Sequence, residues 1–257
     1  MTNWKLLTHD YRPPIQGGEP IWDGTTLPFK LPRVKVNKGR AECAPGWNSV
    51  RDLAAGMRIA GLWPSGRPSA ILVVEPTGTV VERGDKTRSS GLTILRRATD
   101  AEILDGLRTL SAPFGDHAER MAQSQFAWYT ALGRPAHDPA AVEHNLCTAL
   151  TTRGLADWTL HAFSAARAAW GARAAWAARD ARDVRAAWDA RAAGAAGAAW
   201  AAWTACAALT VEYAALAGWT DHDPLLLTTG LRDAYAHGLA VALPTGPEEL
   251  GWAMEGE

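Results

Sequence analysis

Between Ala165 and Ala208 the chain repeats every six residues, and 24 of these 44 positions are alanine. The hexads read AARAAW, GARAAW, AARDAR, DVRAAW, DARAAG, AAGAAW and AAWTAC. Arg167, Arg173, Arg179, Arg185 and Arg191 hold the third position, and Trp170, Trp176, Trp188 and Trp200 the sixth. Alanine loses no side-chain entropy on entering a helix, so the density predicts helix. Some β-solenoids also repeat in hexads, but they need branched residues facing inward, and Val184 is the one branched apolar residue here. At about 100° per residue, each hexad moves its tryptophan by about 120° around the axis. Phe163, Trp170, Val184 and Trp188 then fall on one side, with Trp158 and Trp176 on another. Such a helix must be buried on several sides: within its own bundle, by self-association, or against a partner. Gly194 and Gly197 mark a break, giving a long helix from about Ala156 and a second one ending near Leu216.

Outside the repeat the charge is uneven. The 257 residues carry 26 basic and 27 acidic side chains, but residues 1–112 hold 16 and 11 of them and residues 113–257 hold 10 and 16. That asymmetry suggests a mixed α+β module over 1–112 and a helical Ala/Trp-rich module over 113–243, followed by a loose acidic tail, 244–257. It argues against an overall nucleic-acid binder, as do six arginines set against five acids over 156–218. No apolar run approaches the roughly 18 residues of a membrane span. The start, MTNWKLLTHDYRPP, has no export signal pattern, so the expected location is the cytoplasm. Cys43, Cys147 and Cys206 form no CxxC pair and are expected as small buried thiols.

In the first module, the prolines and glycines between residues 10 and 33 predict ordered loops. A short β-like piece covers Val34 to Val36, and Asn48 to Ala60 reads as a helix capped by Asn48 or Ser49 and ended by Gly61. Ala70 to Glu75, Thr79 to Glu82 and Gly91 to Arg96 read as strands, with turns at Pro76–Gly78 and Arg83–Asp85. Thr99 and Glu102 have capping-box spacing and open a helix to about Leu110. The second module reads as all α: Asp116 to Leu132, then a helix from Asp138-Pro139 to about Thr152, then the repeat, then Pro224 to Ala236.

Chemistry-bearing motifs are sparse. GxSxG, GxxxxGK[ST] and HExxH are all absent, which removes the common hydrolase, nucleotide-phosphate and zinc-protease patterns. His144 and Cys147 share a helical face near His137, Asp138 and Glu143, but a structural zinc site wants four ligands and no complementary pair is evident, so no metal is assigned.

The segments GWNSVRDLAAGMRIA, ILVVEPTGTVVERGDK and SSGLTILRRATDAEI carry two resemblances. Residues 3–105 resemble an uncharacterised bacterial and phage-associated domain family with a Cys-Gly-aromatic segment, a GDK turn and an I-x-I-x-R strand. Its members are often followed by Ala-rich repeats. Cys43, Gly46, Gly84, Asp85 and Lys86 carry the likeness, which implies no activity. The same region is similar to the small rifamycin ADP-ribosyltransferases, through Gly46-Trp47 before an Ala-containing helix, VEPTG over Val74 to Gly78, and LTILR over Leu92 to Arg96.

That second resemblance implies an NAD-dependent fold in which His9 or Arg12 would hold the adenosine ribose. Trp47 would stack on nicotinamide, and Glu82 or Asp85 would stabilise positive charge on the ribose as its glycosidic bond breaks. The chain departs from that pattern where a His-Gly-Thr motif should stand and HDYRPPIQGG is found. Two functions follow as expectations. One is an interaction or assembly protein, forming homo-oligomers or docking a protein partner through the Ala/Trp helices. The other is an NAD- or nucleotide-using enzyme with its cleft in the first module.

Overall fold

The computed structural model describes residues 2–37, 45–65, 67–133, 137–162, 204–218, 225–246 and 248–254. The hexad expectations over 163–203, including Trp170, Trp176, Trp188 and Trp200, lie outside the described residues, as does Cys43. The chain divides into two compact units, 1–64 with 68–126, and 127–257 with 65–67. The charge shift near residue 112 comes earlier than this division, which falls inside a helix. Both units mix helix and strand.

In the first unit, β1 (Asn3–Leu7), β2 (Phe29–Lys30), β3 (Trp47–Val50), β4 (Ala70–Arg83) and β5 (Lys86–Arg97) form one antiparallel sheet. Its pairings return on themselves. β1 pairs with β4 over its whole length and reaches β3 at Trp4 and Val50, β3 pairs with β5, and β5 pairs back with β4. The result is a small closed barrel, with β2 added to β5 at Phe29 opposite Ile94.

The long hairpin that makes closure possible is legible in its residues. Gly84 and Asp85 link Arg83 to its partner Lys86, and Gly84 takes φ 57, in the left-handed region that favours glycine. Irregularities in register at Val73/Val74 and Thr77/Val80 bend the ribbon. Its base can then pair with β1 while its tip pairs with β3. Ala70 to Val74 are all buried, which is why this stretch reads as an unbroken apolar run.

The core holds Leu7, Trp22, Leu31, Ala70, Leu72, Val74, Leu92 and Ile94. Trp22 reaches it from the breaker-rich loop. Its indole N–H donates to Thr26 O at 2.9 Å, Tyr11 meets its ring edge-on at 4.9 Å, and the Arg97 guanidinium lies 5.0 Å from the ring centre. The loop is ordered because it supplies this plug.

Two helices follow, the first packed on β1 and β3 and the second packed on the first. Asp52 caps α1 (Leu53–Ala60) by accepting from the Ala54 N–H at 3.0 Å, and Gly61 ends it. The expected caps, Asn48 and Ser49, lie instead in β3, because pairing to β5 overrides local helix preference there. The turn expected at Pro76–Gly78 is likewise an irregular part of β4, and Val34 to Val36 form no strand. The capping box of α2 (Asp100–Ser111) is made as expected, with Glu102 held by Arg96 at 2.7 and 2.8 Å. That pair keeps the Glu102 carboxyl near pKa 2.

The second unit corrects the all-α expectation. It contains residues 127–133 of α3 (Ala118–Gly133), α4 (Pro139–Thr152), β6 (Thr159–Ala162), a helical segment at 204–216, α5 (Leu225–Ala236), β7 (Leu239–Gly246) and β8 (Glu249–Met254). Asp138 caps α4, with Pro139 in its first turn. The helix expected from Ala156 gives way to β6, which runs parallel to β8.

Within the tail expected to be loose, 244–257, Glu249–Met254 form β8, antiparallel to β7 and burying Trp252, Ala253 and Met254. Gly230 lets α5 approach α4, since a Cβ there would lie 3.2 Å from that of Ala149. Cys147 and Cys206 are exposed, against the expectation of buried thiols. Among the described residues no helix is long and apolar enough to cross a membrane.

Gly56 sets how closely α1 approaches the barrel. A Cβ there would fall 2.7 Å from Val50 Cγ2 and 2.8 Å from Leu6 Cδ1. Gly56→Ala should therefore destabilise the protein by about 1–3 kcal/mol despite its better helix propensity, as measured by urea unfolding.

Candidate functional site

A cleft of about 120 Å³ opens in the first unit where β1 meets β3 at their single bridging pair. Three elements and a loop build it. β1 supplies Trp4, Lys5 and Leu6, β3 supplies Asn48, Ser49 and Val50, and α1 supplies Gly56, Ile59 and Ala60. The loop from Pro13 to Gln16 closes one side, held in a turn by the Gly17 N–H donating to Pro13 O at 3.0 Å. Lys86, at the hairpin tip, completes the lining. Ile15 and Ile59 keep 65% and 38% of their surface exposed, so the rim has apolar surface to offer a ligand.

Lys5 is the unusual residue. In the β1–β4 register Asn3, Lys5 and Leu7 stand opposite Val74, Leu72 and Ala70, and Leu7 and all three β4 partners belong to the core. Cross-strand partners share a face, so a lysine occupies a core-facing position in the barrel wall. Its Nζ donates to Asn48 O at 2.8 Å, and among the described residues no carboxylate pairs with it. Burial pushes its ammonium down to about 8. Beside it on the same row, Asn3 is buried, and among the described residues its Oδ1 has no hydrogen-bond partner.

The five residues singled out from sequence are placed elsewhere; none lines this cleft. Glu82 is exposed at the hairpin tip and accepts from Arg51 Nη1 at 3.0 Å. Arg51 also donates to Gly84 O through Nη2 and, through its backbone N–H, to Asp85 O at 2.9 Å. Glu82 and Asp85 thus share one end of the hairpin, where Arg51 ties it to the chain just before α1.

Trp47 is partly buried against the core and donates its indole N–H to Pro32 O at 2.8 Å. Arg12 pairs with Asp10 at 2.7 Å and with Gly18 O at 2.9 Å, bracing the loop after β1, and His9 is exposed in the turn before it. Sequence reasoning missed Lys5 because it missed β1. The signal was the segment NWKLL, whose alternate residues put a lysine in line with Leu7.

Chemically, the cleft offers cations and apolar walls. Its lining sets Lys5 and Lys86 beside apolar side chains, and among the described residues that line it there is no carboxylate, histidine or cysteine. No protein-family model, curated protein or solved structure matches the chain.

The Lys5 environment predicts a pH dependence. Its folded-state pKa, about 8, lies below the ordinary 10.5, so between those values the unfolded chain binds more protons and stability attributable to Lys5 rises with pH. Lys5→Met removes that term. Urea unfolding at pH 7 and about pH 10 should therefore show the variant losing ground to wild type at the higher pH, whereas a constant difference would mean the amine is not desolvated.

Proposed function

We propose that the chain is an interaction protein. Its small barrel would be the recognition part, engaging a target at the Lys5 cleft, and the Ala/Trp-rich segment would bring copies of the chain or a protein partner together. The observation that carries this reading is the lining of the cleft, apolar walls with two lysines and no acid–base pair. The six-residue spacing of the tryptophans supports the associating half, because bulky residues distributed around a helix need cover on several sides. Tryptophan and arginine are also the residues that dominate interface energetics.

The alternative, an ADP-ribosyltransferase-like fold using NAD, needs His9 or Arg12, Trp47 and a carboxylate around one nucleotide. Trp47 and Arg12 already have packing and bracing roles, and Glu82 is engaged by Arg51. Those roles favour the interaction reading.

Analytical ultracentrifugation of the full chain should show concentration-dependent association, reduced about tenfold or more by Trp170→Ala with Trp188→Ala. A strict monomer at all concentrations would contradict the associating half. Incubation with NAD should release no nicotinamide; release that disappears in Glu82→Gln would move the function to the hairpin tip.

A further inference from the structure

We propose that the chain self-associates head to tail, the cationic edge at Lys30, Arg33 and Lys35 of one copy taking the carboxylates Asp157, Glu248 and Glu249 of a second copy. This deepens the associating half of the reading above and rests on it.

The cationic edge is laid down along β5. Phe29 and Lys30 stand opposite Ile94 and Thr93, and the run continues as the Leu31 and Val34 N–H groups donate to Leu92 O and Ser90 O at 2.9 and 2.8 Å. The Trp47 indole holds Pro32 O at 2.8 Å, which fixes the backbone beside Arg33. Among the described residues β2 pairs with β5 alone, so its other side is an open edge. Pro28 and Pro32 lack the N–H that a further strand would need, which leaves side chains as the means of contact. Arg12, Arg96 and Arg108 find acids within the first unit. Lys30, Arg33 and Lys35 are exposed, and among the described residues none of them is ion-paired. Glu75 shares the Thr93 row with Lys30 from the far side of β5, about 10 Å away by strand spacing and beyond ion-pair reach.

The second unit carries the opposite pattern. β6 and β8 run parallel and begin together, with Thr159 opposite Glu249 and the Thr159 N–H donating to Glu248 O at 2.9 Å. Asp157 stands two residues before Thr159, so three carboxylates meet at this corner of the sheet. All three are exposed, and among the described residues none is ion-paired. Arg153 in the preceding turn and His161 along β6 are the cations nearest in sequence, and neither pairs with them. Three fixed cations and three carboxylates are complementary in number and sign, which favours the right encounter and penalises like-charged ones. Such a contact joins two different faces, so each copy keeps one edge and one corner free and association runs on beyond a dimer.

Sedimentation of the full chain should show association about tenfold or more weaker at about 500 mM than at about 50 mM NaCl. Two charge reversals sharpen the test: Lys30→Glu with Arg33→Glu and Lys35→Glu, and separately Asp157→Lys with Glu248→Lys and Glu249→Lys. Each should remain monomeric alone, and mixing the two should restore association, because the reversed edge of one meets the reversed corner of the other. Circular dichroism checks the fold of each variant; should one misfold, the salt dependence of wild type decides alone. Association unchanged by salt or by either reversal, or a mixture that stays monomeric, would overturn the proposal. So would an edge variant that associates normally but has lost binding to a single-stranded oligonucleotide, which would give the edge to another partner. Association weakened by Trp170→Ala with Trp188→Ala yet intact in both reversals would reject this inference and leave the interaction reading standing. A strict monomer at every concentration and both salts would remove the two together.

Discussion

Closure of the first sheet depends on one bent hairpin. β4 and β5 are long enough to give their base to β1 and their tip to β3, and the two irregularities in their register supply the bend. Hydrogen bonding around the ring leaves β1 with a partner on each side, although it is the first strand of the chain and only five residues long. Because β1 meets β3 at only one pair of residues, the seam between them is the natural place for an opening. The cleft is therefore a consequence of how the barrel closes, and α1 and the proline loop shape it.

Lys5 is where that architecture departs from what stability alone would select. Its neighbours along the row, Asn3 and Leu7, and its partner Leu72 are neutral or apolar, and its ammonium donates to the main-chain carbonyl of Asn48. At the seam that β1 and β3 make through one pair of residues, this ammonium bridges the two strands by donating to Asn48 O. Glu82, by contrast, contributes to holding the hairpin tip beside α1 through Arg51, a structural use of a carboxylate that sequence motifs alone could have cast as catalytic.

Local chemistry was readable wherever it was self-contained. The capping box at Thr99 and Glu102, the Gly84–Asp85 turn, the Asp138-Pro139 helix start and the buried run from Ala70 to Val74 need nothing beyond their own neighbours, and all are found. Elements that exist only through distant pairing were not readable. Asn48 to Val50 read as the start of a helix, because their strand character comes only from pairing with β5. β6 and β8 pair across some ninety residues of sequence, so neither segment announces a sheet by itself. The same reason hid the candidate site, since Lys5 is unremarkable until Leu72 stands opposite it.

The central claim is that Lys5 is a desolvated amine held in a cleft of the barrel wall, and NMR titration of the lysine side chains tests it most directly. Lys5, assigned by comparison with Lys5→Met, should lose its proton near pH 8. An ordinary titration near 10.5 would mean that the amine lies in water, and the cleft would lose the feature that distinguishes it.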